Sequence, residues 1–80
     1  MKIEYELKKL IFNVIDQAEV DLSLDDDLEK NLGYTSIDYI QLIVDIEDYF
    51  GIEFEYEDME VYHTYGTLLE FIKRKMKSSL

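Results

Sequence analysis

Apolar residues recur at helical spacing in three stretches of the chain. In the first, Ile3, Leu7, Leu10, Ile11 and Val14 fall at i, i+4, i+7, i+8 and i+11. The second runs from about Ser36 to Phe50 and stops at Gly51, a residue suited to the left-handed turn that closes a helix. In the third, Tyr65, Leu68, Leu69, Ile72 and Met76 share one face. Thr64 is its expected N-cap, and Lys73, Arg74, Lys75 and Lys77 gather at the end where the helix dipole favours cations. About eighteen residues separate the first two helices, a long connection for a small domain. Within it Leu24, Leu28 and Leu32 recur every four positions, which predicts one helical turn packing down on the core. After Gly51, Ile52-Glu53-Phe54 alternates like a short extended piece, and Glu57 to Val61 suits one further turn of helix. The pattern predicts an all-α fold, a small four-helix bundle with three principal helices, one short helix and a long first crossover, built as one domain over residues 1–80.

Composition narrows the chemistry. Of the 80 residues 48% are hydrophobic, enough for a packed core and against disorder. The absence of cysteine excludes a disulfide framework, a thiolate metal site and a thiol nucleophile. No apolar run approaches the ~20 residues of a membrane span, and the start, Met1-Lys2-Ile3-Glu4, lacks the apolar stretch of a signal peptide. A cytoplasmic monomer is the expectation. The net charge of −11 is unevenly placed: residues 21–62 hold fourteen acids and one base, Lys30. Such a middle repels nucleic acid and anionic lipid and attracts basic protein surfaces. Read alone, the same charge is also a plain solvated surface.

Ser36 stands at the mouth of the second helix, after Gly33-Tyr34-Thr35. A serine there either caps the helix by accepting a backbone N–H bond or carries a phosphate ester where free N–H groups and the dipole favour negative charge. The helix behind it carries three stripes when projected at 100° per residue. Tyr39, Leu42, Ile43, Ile46 and Phe50 form a wide core-facing arc, and Asp38, Gln41, Asp45 and Asp48 a polar one. Ile37, Ile40 and Val44 lie between them with Glu47 at the end, a second apolar strip. That strip either packs beneath the first crossover or forms an exposed docking surface rimmed by acids.

With these residues in hand, the chain resembles the acyl and peptidyl carrier proteins over nearly its whole length. Leu32-Gly33-Tyr34-Thr35-Ser36-Ile37 is similar to the family's Leu-Gly-x-Asp-Ser-Leu, and Glu47-Asp48-Tyr49-Phe50-Gly51-Ile52 to its Glu-Glu-x-Phe-Gly-Ile. Thr64-Tyr65-Gly66-Thr67-Leu68 resembles its Thr-Val-Gly-Asp opening of the last helix. The resemblance implies that Ser36 carries 4'-phosphopantetheine, taken from coenzyme A, through a phosphodiester. A thiol on that arm would give a cysteine-free protein its thioester chemistry, holding acyl, aminoacyl or peptidyl intermediates of fatty acid, polyketide or nonribosomal peptide type biosynthesis. The implied partners are a phosphopantetheinyl transferase and loading and downstream enzymes with basic docking surfaces. They would read Ile37, Ile40 and Val44 together with Asp38, Glu47 and Asp48; nucleic acid and membrane are not among the partners.

The sequence departs from the family at Thr35, where many members carry aspartate, and at Gln41, commonly glutamate. The first removes a charge beside the attachment point, and the second removes one from the docking face. Peptidyl carriers vary more before the serine, so Thr35 points towards an amino acid-loading or specialised pathway and bears on which transferase acts. Tyr34, Tyr39 and Tyr49 are also unusual in or beside this helix, and Tyr39 is placed to fill space where a long acyl chain would hide. His63, the single histidine, has no triad spacing and reads as a loop residue within reach of an arm or a partner. Asp21, Ser23, Asp25, Asp27 and Glu29 mimic a calcium loop, but Asp26 stands where the turn needs glycine and Leu32 where a bidentate glutamate belongs. No nucleophile–base pair, metal cluster or phosphate loop suggests an enzyme. The alternative is a carrier-like acidic adaptor without an arm.

Overall fold

Five helices follow one another in the computed structural model, which describes residues 3–78: α1 (Ile3–Val14), α2 (Leu28–Leu32), α3 (Ser36–Phe50), α4 (Tyr56–Val61) and α5 (Tyr65–Ser78). Met1 and Lys2, read above as the start of the chain, lie outside the described residues. The three long helices are the three periodic stretches, and α4 is the short turn expected after Phe54, begun one residue earlier than Glu57. The fifth element is α2, the turn suggested by the leucine spacing. Asp27 starts it by accepting the N–H groups of Glu29 and Lys30 at 2.9 and 3.0 Å, and Gly33 ends it at φ 76°. Those bonds, the one from Lys30 above all, hold the Asp27 carboxyl below its ordinary pKa.

Only part of the leucine expectation is met. Leu28 is buried and Leu32 half-buried, but Leu24 is 60% exposed. The backbone of Leu24 is used instead of its side chain, because its carbonyl accepts the N–H of Gly66 at 2.9 Å. A Cβ at position 66 would meet that oxygen at 2.7 Å, so the contact needs glycine. Two further bonds stitch the crossover to the start of α5: Leu28 N–H to His63 O and Tyr65 N–H to Asp26 O, both 2.9 Å. Thr64 caps α5 by accepting the Thr67 N–H at 3.1 Å, and Thr67 Oγ1 answers by accepting the Thr64 N–H at 3.2 Å.

The core is a single cluster. Leu7, Ile11 and Phe12 come from α1, Leu28 from α2, Leu42, Ile43, Ile46 and Phe50 from α3, and Leu68, Leu69, Phe71 and Ile72 from α5. Burying each large aliphatic or aromatic side chain contributes about 1.5–3 kcal/mol, and this cluster holds the three long helices together. Four members fall outside the helical stripes read from the sequence: Phe12, Tyr34, Phe71, and Ile52 from the alternating piece after Gly51. Phe71 is covered by Phe54 and Tyr62, with ring centroids at 4.4 and 4.8 Å, so it bridges α5 to both ends of α4. Among the described residues α4 buries no side chain fully, and Ile52-Glu53-Phe54 alternates in burial without forming a strand.

Candidate functional site

The mouth of α3 is built by Thr35, not Ser36. Thr35 is the N-cap, with extended backbone at φ −89° and ψ 173°. Its hydroxyl accepts the N–H of Asp38 at 3.1 Å while the Asp38 carboxylate accepts the N–H of Thr35 at 3.0 Å, a reciprocal capping box. The reading of Ser36 as a cap is therefore corrected. Ser36 is the first helical residue, exposed, and its hydroxyl makes no hydrogen bond among the described residues. The amides of Ser36 and Ile37 have no backbone acceptor there either, since the first intrahelical bond is Tyr39 N–H to Thr35 O at 3.0 Å. Tyr34 anchors the approach to this turn: it is buried, and its phenol donates to Ile11 O at 2.6 Å. Burial drives the Tyr34 pKa well above that of a free phenol, with Asp38 and Asp45 adding to the shift.

Along the outer side of α3, Ile37 is 78%, Ile40 52% and Val44 43% exposed. They do not pack beneath the crossover. The acids around them differ in occupation. Asp38 belongs to the capping box, and Glu47 is half-buried and accepts the N–H of Phe54 at 2.9 Å, holding the α3–α4 connection. Asp45 accepts from Gln41 Nε2 at 2.9 Å. Asp48 is exposed and makes no hydrogen bond among the described residues.

A cleft of about 370 Å³ opens beside Ser36, between the start of α3 and the helix α4. Thr35, Ser36, Tyr39, Ile40, Met59 and His63 are among its lining residues. Tyr39 is only half-buried, less deeply set than the other members of its predicted arc. Its hydroxyl donates to Tyr62 O at 2.6 Å and its ring stacks on His63 with centroids 5.0 Å apart. Desolvation, with help from the nearby Asp58 charge, pushes its pKa up to about 12. His63 Nε2 donates in turn to Glu60 O at 2.9 Å, so the histidine, in the loop before α5 as expected, forms part of the wall of the cleft beside Ser36. The sequence carried no periodic signal for Glu29, Tyr56, Met59 or Glu60 as neighbours of Ser36; the tertiary approach of α4 brings the last three there, and Glu29 comes from α2.

This arrangement has counterparts among known proteins. Residues 6–72 match the family model described as a phosphopantetheine attachment site. The chain is 33% identical over 73 residues to an acyl carrier protein of Buchnera aphidicola, covering 91% of both chains. It is 38% identical over 58 residues to an acyl carrier protein of Lactobacillus johnsonii, covering 72% of this chain and 68% of that one. The solution structure of holo acyl carrier protein from Geobacter metallireducens superposes with a TM-score of 0.85 at 19% identity, over 99% of this chain and 91% of the other. The chain belongs to the phosphopantetheine attachment family: it is a carrier, with 4'-phosphopantetheine as its covalently attached group. No helix among the described residues is long and apolar enough to cross a membrane.

Proposed function

We propose that Ser36 is the attachment residue and that the outer side of α3 is where partner enzymes dock. The observation that carries the first part is the division of labour at the helix mouth. Thr35 supplies the cap, so Ser36 Oγ is exposed and unbonded and can be esterified without loss of a structural bond. The residues fit the group. The amides of Ser36 and Ile37, without backbone acceptors, would be available to the arm's phosphate at the positive end of a fifteen-residue helix, where an anion is stabilised by about 0.3–1 kcal/mol. Ser36 Oγ would form the new O–P bond as the pyrophosphate bond of coenzyme A breaks, the nucleotide half leaving as a phosphate anion and the serine proton passing to a base of the transferase. Once bound, the group supplies a thiol on a flexible arm, which takes acyl groups as thioesters.

Ile37, Ile40 and Val44 offer partners an apolar strip beside the arm, with Asp38, Glu47 and Asp48 at its edges. A phosphopantetheinyl transferase and enzymes that load and process the cargo in a biosynthetic pathway are the partners such a surface suits, approached through basic patches. This work belongs in the cytoplasm, where coenzyme A supplies the arm. Incubating the apo protein with coenzyme A and a broad-specificity transferase tests the reading. Intact mass should rise by one phosphopantetheine, and Ser36→Ala should show no rise. Modification of the alanine variant would remove Ser36 from the role.

A further inference from the structure

The cleft beside Ser36 has a composition that bears on what the arm carries. At about 370 Å³ it lies at the low end of the ~300–1,000 Å³ range of small-molecule sites. Its charged lining residues are Glu29 and Glu60, with no lysine or arginine among them. Tyr34, Tyr39, Tyr56 and His63 supply aromatic or imidazole surface. Tyr39 lines the cleft on one side and packs against the core on the other. Its bond to Tyr62 O at 2.6 Å and its stacking on His63 close that route inwards. Leu42, Ile46 and Leu68 in the core expose no surface, so a chain entering past Tyr39 would have to break the bond and displace close-packed side chains.

We infer that this cleft receives a short acyl group bearing an ammonium, an aminoacyl cargo, and that Tyr39 bars long alkyl chains from the bundle. The inference rests on Ser36 as the attachment residue. An ammonium is attracted by ring faces and by both carboxylates, whereas a second carboxylate on the cargo would be repelled by them. Tethering beside the site raises the cargo's local concentration to the millimolar range, so a weak pocket is sufficient. The cleft also holds apolar surface from Leu28, Ile40 and Met59, but it stands open to solvent, so an alkyl tail gains little there and has no buried space to enter.

The test loads Ser36 with hydrolysis-resistant amide analogues of coenzyme A that end in β-alanyl, its uncharged isostere butyryl, or octanoyl. Melting temperature and amide chemical shifts are then compared with those of the unacylated holo protein. The β-alanyl form should melt about 4 °C higher and shift the amides of Tyr39, Glu60 and His63, while butyryl and octanoyl should do neither. The Glu29→Gln, Glu60→Gln double variant should lose the β-alanyl gain while still being loaded. Tyr39→Ala should let octanoyl raise the melting temperature. If that variant does not fold, Tyr39→Phe, which keeps the ring and loses the bond to Tyr62, should give a smaller octanoyl gain. An octanoyl form of the unmutated protein that melts as high as the β-alanyl form, or β-alanyl behaving as butyryl does, would overturn the inference. Intact mass separates the two readings: no adduct removes the Ser36 assignment itself, whereas full loading without discrimination removes only the cargo.

Discussion

Thr35 and Ser36 carry the same functional group one residue apart, and the backbone between them sends the two hydroxyls to different ends. Thr35 Oγ1 is spent inside the capping box, and Ser36 Oγ is left to solvent. Ser36→Ala should therefore stay within about 0.5 kcal/mol of the parent in chemical denaturation, as a surface change does. Thr35→Ala should lose about 0.5–2 kcal/mol. Thr35→Asp should retain the cap and place a charge beside the attachment point, so its loading rate by a given transferase reports how much that charge matters. Thr35 as the cap had a signal in the sequence that the reading of Ser36 passed over: an acid three residues on, Asp38, where Ser36 has Tyr39. The burial of Tyr34 was not, because a loop residue has no period to read, and its place is set by one bond to Ile11 O across the bundle.

On the scale of the helix, α3 has to serve the core and the solvent side together. The three-stripe projection located its inner arc, and Leu42, Ile43, Ile46 and Phe50 are buried as expected of it. Whether the second apolar strip was inside or outside could not be decided from spacing, since both placements share the same period. It depends on what the crossover covers. Position in the sequence also hid the difference between Glu47 and Asp48, adjacent acids with separate tasks. Glu47→Gln should weaken the bond to the Phe54 N–H and loosen the α3–α4 connection, read as faster amide exchange at Phe54. Asp48→Lys should leave stability nearly unchanged and mainly slow association with a transferase, with a weaker salt dependence. Val44→Ala should leave helicity intact and speed dissociation, as an apolar anchor does. Unfolding of that variant with unchanged kinetics per folded molecule would place Val44 in the core.

The whole molecule is bounded by its charge and by its tyrosines. Fourteen acids in residues 21–62 repel one another at neutral pH, so salt or millimolar magnesium should raise the melting temperature. A flat response would mean the acids are already compensated. At the alkaline end the sign is opposite. Tyr34 and Tyr39 have folded pKa values raised above the ~10 of a free phenol. Their contribution is fully present below pH ~10 and is lost as pH rises through the folded values, about 12 for Tyr39. Denaturant midpoints should fall between pH 10 and 12, and Tyr39→Phe should flatten part of that fall. The bundle was legible because its long helices are strongly periodic. The cleft was not, because it is made where α4, which buries no side chain fully, meets the mouth of α3.

The three backbone bonds between the first crossover and the start of α5 join segments about forty residues apart in the chain. The amides of Leu28, Tyr65 and Gly66 donate them, one from the crossover side and two from the helix side. None can be released alone without moving the backbone that holds the others, and the close approach of Gly66 to Leu24 O leaves little slack. These three amides should then exchange with deuterium at one common rate and share one denaturant dependence, as a single cooperative unit. Gly66→Ala should raise all three rates together while leaving the centre of α3 protected.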